Sequence, residues 1–176
     1  MLIPIGLGIT IGATAVAVTI ATRPAAFRIV RSAVIDAPPE VLFPFVNDFH
    51  HWSKWSPFEK LDPTMHKTFE GAALGVGSVY TWSGNSKAGE GKMTITDSTP
   101  HRRIALDLSF NKPMKAENKT EFTFEPVAGG TRVTWAMTGR NNFLGKAFAL
   151  IVNVDNMLGV SFEQGLQALG KVATAS

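Results

Sequence analysis

Cysteine is absent from the 176 residues, which excludes disulfides, thiolate nucleophiles, iron–sulfur clusters and zinc–thiolate centres and leaves the redox compartment open. Metal chelation by histidine has little material either. His50 and His51 are neighbours whose rings diverge, His66 and His101 are isolated, and no pair has the i, i+4 spacing that holds a metal from a helix. No metal or other cofactor is expected. Gly71 to Gly77 carries glycines between two strands but has neither a following helix nor a Lys-Ser/Thr, so it reads as turn punctuation rather than a phosphate cradle. Ser78, Ser83 and Ser109 lie in no nucleophile-elbow motif. Glu90, flanked by Gly89 and Gly91, reads as a solvated charge at a hairpin end. The formal net charge is only +3, with Lys and Arg scattered along the chain, so a nucleic-acid partner is not expected. Repeats and low-complexity tracts are missing as well.

Charge is also missing from the first 22 residues, Met1 to Thr22, after which Arg23, Arg28 and Arg31 follow closely. A helix rising 1.5 Å per residue needs roughly 20 apolar residues to cross a hydrocarbon core of about 30 Å. Leu2 to Ala21 has that length. Ile3, Ile5, Leu7, Ile9, Ile11, Val16, Val18 and Ile20 fall all around the helix, as on a lipid-exposed span. A cleavable signal peptide and a buried core helix remain as alternatives. The first lacks a basic n-region, and its candidate site near Ala21 runs into Arg23-Pro24. The expectation is a transmembrane anchor over 1–22, a linker over 23–26 and one domain over 27–176. The protein would be a single-pass membrane protein whose C-terminal domain the three arginines place in the cytoplasm. Gly8 and Gly12 form a small-xxx-small pair that lets two helices approach; incidental glycine is the alternative, and the oligomeric state stays open.

The stretch after the linker is long enough to bury a core. Phe27 to Ile35 reads as a strand, and Asp36-Ala37-Pro38-Pro39-Glu40 opens a helix with proline in its first turn. Val41, Leu42, Phe45, Val46 and Phe49 carry the helical period. Six further strands follow, Lys67 to Gly71, Ser78 to Ser83, Gly91 to Asp97, Arg103 to Phe110, Glu117 to Pro126 and Thr131 to Gly139, separated by turn residues. Their alternation puts Ile104, Leu106, Leu108 and Phe110 on one face, with Phe122, Phe124, Val133, Trp135 and Met137. The proline-free stretch Asn142 to Val172 carries Leu144, Phe148, Ile151, Leu158, Phe162, Leu166 and Leu169 at helical spacing and supplies the cover for that face. The fold class is α+β, a helix-grip with an antiparallel sheet wrapped around one long C-terminal helix.

These residues resemble a family. Ile35-Asp36-Ala37-Pro38-Pro39-Glu40-Val41-Leu42-Phe43, Asn47-Asp48-Phe49, Trp52 and Trp55-Ser56-Pro57 look like the opening of the START-like superfamily, in its polyketide cyclase/dehydrase and lipid transport branch. Glu70-Gly71, Gly75-Val76-Gly77, Tyr80 to Asn85, Gly89-Glu90-Gly91, Gly130 to Trp135 and Phe162-Glu163-Gly165-Leu166 are similar to it in order and spacing. The resemblance implies a curved antiparallel sheet around the last helix, enclosing an apolar cavity. It implies no particular reaction, because one fold hosts many functions.

For a cavity ligand the expected lining is Trp55, Trp82, Phe110, Trp135, Phe148, Ile151, Asp155, Leu158 and Phe162. Core packing is the alternative for each tryptophan, and Trp52, Trp55 and Phe58 could instead cap an entrance. Asp155 shares the apolar stripe of the last helix and is the one candidate acid or base. Alternatively a helix bend at Gly145, Gly159 or Gly165 turns it to solvent, or it pairs with an arginine such as Arg103 or Arg140. Three functions fit: a membrane-tethered module binding a lipid or other hydrophobic small molecule; a cyclase- or dehydrase-like enzyme with one acid/base group; and a protein-interaction module.

Overall fold

The computed structural model describes residues 17–175. The expected membrane anchor therefore falls mostly outside the described residues. Residues 17–22 are helical, and among the described residues no single helix is long and apolar enough to cross a membrane.

Seven strands form one antiparallel sheet: β1 (Ala26–Ile35), β2 (His66–Gly71), β3 (Ser78–Ser83), β4 (Glu90–Thr99), β5 (Arg103–Lys112), β6 (Ala116–Val127) and β7 (Gly130–Arg140). Their spatial order is β1-β7-β6-β5-β4-β3-β2. Six consecutive strands make the meander that the turn signals predict, and β1 returns to close its far edge against β7, from Ala26 opposite Arg140 to Ile35 opposite Thr131. Register shifts between Glu90 and Gly91 and between Ile95 and Asp97 interrupt the β4–β5 ladder; such bulges bend a sheet and increase its twist.

Between β1 and β2 lie α1 (Pro39–Asn47) and α2 (Trp52–Trp55), with short 3₁₀ turns at Phe49–His51 and Pro57–Lys60. Pro39 opens α1, where a missing N–H costs nothing. The indole N–H groups of Trp52 and Trp55 donate to the carbonyls of Val46 at 3.0 Å and Phe45 at 2.8 Å. Those bonds satisfy the polar end of two buried aromatic side chains and tie the irregular segment to the end of α1.

The chain ends in α3 (Phe143–Ile151) and α4 (Val154–Thr174). The expected single long helix is thus two helices, meeting at 81°. None of the glycines expected to break it does so. Val152 is extended, and Asn153 starts a new helix by accepting a hydrogen bond from the Asn156 N–H on its side chain, as Asn142 does for α3 from Gly145. An asparagine side chain competes for backbone N–H groups and favours a cap over a helix interior. Only α4 grips the sheet. It buries Phe162, Leu166, Leu169 and Ala173, a stripe at helical spacing, against the concave face. Gly165 lets it come close, since a β-carbon there would lie 2.7 Å from the Trp135 ring. Complete burial of a leucine such as Leu166 contributes roughly 1.5–3 kcal/mol.

Candidate functional site

The concave face of the sheet carries the aromatic residues singled out in the sequence, but in two groups. Trp135 stacks on Phe162, centroids 4.2 Å apart and planes 3° from parallel, and meets Trp55 at 5.6 Å, Phe122 at 4.8 Å and Phe58 at 6.1 Å. This group packs together beneath α4. Trp82 meets Phe110 edge-on at 5.6 Å and stacks on Tyr80 at 5.9 Å, nearer the far edge of the sheet, and its indole N–H donates to the Ala88 carbonyl. Leu158 is half-buried and packs on the core.

Phe148 and Ile151 sit elsewhere. Both lie on α3, outside the core, and Ile151 is 87% exposed. The helix break displaces them from the stripe to which a continuous helix would assign them. Asp155 is also on the outside: its side chain is 60% exposed, and it accepts from Arg31 Nη2 at 3.1 Å. Arg31 lies on the concave face of β1 and donates from Nε to Glu163 at 2.8 Å. The Asp155 carboxylate holds the Arg31 guanidinium above its ordinary range. The partner is neither Arg103 nor Arg140. Arg103 bonds Asp97 and Glu121 instead, and Glu121 raises its pKa. Asp155 is exposed and has a cationic partner, so this geometry offers a proton-transfer role no support.

Polar atoms missed in the sequence lie deeper. Asn118, Thr120, Phe122 and Phe124 share the concave face of β6. Thr120 is flanked across the sheet by Leu106 and Met137, is 3% exposed, and its hydroxyl has no hydrogen-bond partner. One diagonal step away, Trp135 Nε1 is equally buried and unpartnered. Ser78 Oγ, on the buried side of β3 with Tyr80 and Trp82, is a third unpartnered atom; buried polar groups nearly always have a partner, so the neighbouring Thr120 and Trp135 orphans require an explanation. Asn118, two residues along, lies over Gly139 beside Phe27, where a β-carbon at 139 would sit 2.8 Å from the Phe27 ring. Asn118 also lines an open depression of about 890 Å³ where the β5–β6 turn at Pro113 and Met114, the end of β7 and the start of α3 meet, together with Asp107, Lys119 and Thr138 from the opposite face of the sheet. The signal was available: two polar residues extend the apolar alternation of Phe122 and Phe124.

A second polar cluster closes the other end of the concave face. Glu59 accepts from the Tyr80 hydroxyl at 2.6 Å and from Lys67 Nζ, and its own side chain is buried. Burial pushes the Tyr80 hydroxyl up, and Glu59 adds to the effect, so the phenol stays protonated. Glu90 at the β4 end pairs with Lys112 at 3.0 Å, whose ammonium lowers its pKa. Among the described residues no cluster of His, Asp and Glu could hold a metal ion.

This arrangement, a concave aromatic sheet face under one gripping helix, has many solved counterparts. Protein MLL2253 from Mesorhizobium loti is similar at 16% identity and a TM-score of 0.62 over 85% of this chain and 98% of that one. The Aha1 dimer from Colwellia psychrerythraea is similar at 19% identity and a TM-score of 0.56, covering 82% and 96%. The di-domain ARO/CYC BexL from the BE-7585A biosynthetic pathway gives 16% and 0.64, covering 88% of this chain and 52% of that one. At such identities these likenesses show the fold alone. No curated protein matches the chain. The family described as polyketide cyclase / dehydrase and lipid transport matches residues 26–174. That match spans the sheet, the gripping helix and everything between them, and the chain is a member of this family.

Proposed function

We propose that the protein is a membrane-tethered module that holds a hydrophobic small molecule or lipid carrying at least one hydrogen-bonding group. The observation that carries this reading is the neighbouring pair of orphaned atoms, Thr120 Oγ1 and Trp135 Nε1, buried among the aromatic side chains of the concave face. A hydroxyl or carbonyl on an apolar ligand would give each its missing bond, and a few polar groups in an apolar lining are what fix a ligand's orientation. Asn118 at the depression extends the same polar line outward. The membership in a family that includes lipid transport agrees with the ligand class. The tether is the uncharged run over residues 2–21, and the arginines after it favour a cytoplasmic domain.

Ligand binding without covalent chemistry is favoured over a cyclase-like reaction because the candidate acid, Asp155, is exposed and paired with Arg31. The experiment is a titration of the full chain with a fluorescent fatty-acid probe, read by energy transfer from tryptophan. The proposal expects saturation at one equivalent and a several-fold weaker Kd in Thr120→Val. A linear, unsaturable signal, or an unchanged Kd in both Thr120→Val and Trp135→Phe, contradicts it.

A further inference from the structure

Helix α3 is amphipathic in the inverted sense. At about 100° per residue, Phe143, Leu144, Phe148, Leu150 and Ile151 fall on one side, and these are its exposed residues. Gly145, Lys146 and Ala149 fall on the other side and are partly covered. An ordinary surface helix does the reverse, turning its large apolar side chains to the core. Met157 and Val160 extend the exposed apolar surface onto the first turns of α4, and no acidic residue occurs between Asn141 and Val154.

The same helix holds the end of the uncharged N-terminal stretch. Lys146 Nζ donates to the Ala21 carbonyl at 3.0 Å, and the Asn141 N–H donates to the Ala25 carbonyl at 2.8 Å. Lys146, the one charge on α3, thus has its ammonium turned toward the N-terminal stretch, away from the apolar face. The 22 uncharged residues from Met1 would be about 33 Å long as a helix, close to the hydrocarbon thickness of a bilayer. The described end of the stretch, residues 17–22, meets the domain at α3 through that Lys146–Ala21 bond.

We infer that α3 seats the domain on a lipid bilayer, its outward face of Phe143, Leu144, Phe148, Leu150 and Ile151 immersed in the interface beside the point where the N-terminal stretch enters. This rests on the tether reading for its orientation. An apolar helix face in the interface lies roughly 5–10 Å into the headgroup and acyl boundary. Asn142 and Gly145 at the start of α3 also line the open depression, which places it next to the seated helix.

The absence of cysteine makes the test clean. The full chain is placed in phosphatidylcholine vesicles with a single environment-sensitive fluorophore at Ile151→Cys, Ala13→Cys or Leu74→Cys, the last an exposed position in the turn between β2 and β3. Quenching is measured with lipids carrying a nitroxide at shallow or deep positions, and with aqueous iodide. The expected result is that the probe at 151 is quenched more by shallow than by deep nitroxide and is protected from iodide. The probe at 13 should be quenched by deep nitroxide, and the probe at 74 by iodide alone. If 151 behaves like 74 while 13 lies in lipid, the seating is overturned and the tether stands. If 13 is aqueous while 151 is quenched at shallow depth, the tether reading fails and the seating stands. A probe at 151 shielded from nitroxide and iodide alike shows that protein covers this face, a second copy or the chain's own N-terminus, and overturns the inference.

Discussion

The Arg31 guanidinium occupies the space that a β-carbon at Gly159 would need. From that notch it reaches Asp155 and Glu163, one turn to either side on the same face of α4. The glycine is therefore a seat for the arginine that ties β1 to the gripping helix. Alanine at a mid-helix position is worth about 1 kcal/mol over glycine, but here that gain is opposed by displacement of Arg31. Gly159→Ala should thus stabilise an Arg31→Ala background by more than it stabilises the native chain. Urea unfolding of the four proteins in a double-mutant cycle measures the coupling, and additive effects would contradict the relationship.

Asp62 is held by a network that sharpens the acid limb of stability. Its carboxylate accepts from the Thr64 hydroxyl at 2.8 Å, from the Asn85 N–H at 2.7 Å and from the Thr64 N–H at 3.0 Å, and these bonds lower its pKa, the Thr64 hydroxyl most of all. A carboxyl with a depressed folded pKa contributes stability above its unfolded value of about 3.9 and loses that contribution as pH falls through this value toward the lower folded one. Asp62→Asn should therefore lower the thermal midpoint near neutrality, and the gap from the native protein should narrow as pH falls below about 4. A gap constant with pH would show that the carboxylate's charge has no part in it.

Thr120→Val separates binding from folding. Replacing an orphaned hydroxyl with a methyl of the same shape should raise the stability of the ligand-free protein by about 1 kcal/mol. The same change removes one bond to a polar ligand, worth about 0.5–1.5 kcal/mol, or roughly two- to tenfold in Kd. A variant both less stable and equally good at binding would place the hydroxyl in a structural bond instead.

Trp82→Ala and Phe148→Ala should part company. Trp82 is 8% exposed and packs on Tyr80 and Phe110, so its removal should cost about 3–5 kcal/mol, as large truncations in cores do. Phe148 lies on the outward face of α3, and its removal should leave stability within about 0.5 kcal/mol. Chemical denaturation of both variants distinguishes the positions; a large loss in Phe148→Ala would mean that α3 packs on the body.

Strand assignment was the most legible part of the chain, because alternation in Ile104-Leu106-Leu108 and Val133-Trp135-Met137 reports directly which face is buried. The cover by Phe162, Leu166 and Leu169 was legible for the same reason. The break between α3 and α4 was not, since it depends on one side chain, Asn153, choosing its neighbour's N–H over helix continuation. That single choice moved Phe148, Ile151 and Asp155 out of the place assigned to them. Asn118 and Thr120 were legible in principle, as polar residues in an apolar alternation. Arg31 was not, because its notch at Gly159 exists only once β1 and α4 are packed together.

Whether the concave face holds an apolar molecule through Thr120 and Trp135 is decided by native mass spectrometry of the full chain released from detergent micelles, followed by solvent extraction. The expected result is one apolar molecule per chain, carrying a hydroxyl or carbonyl, with its occupancy reduced in Thr120→Val and Trp135→Phe. A folded protein of bare chain mass that yields no apolar molecule on extraction would contradict it.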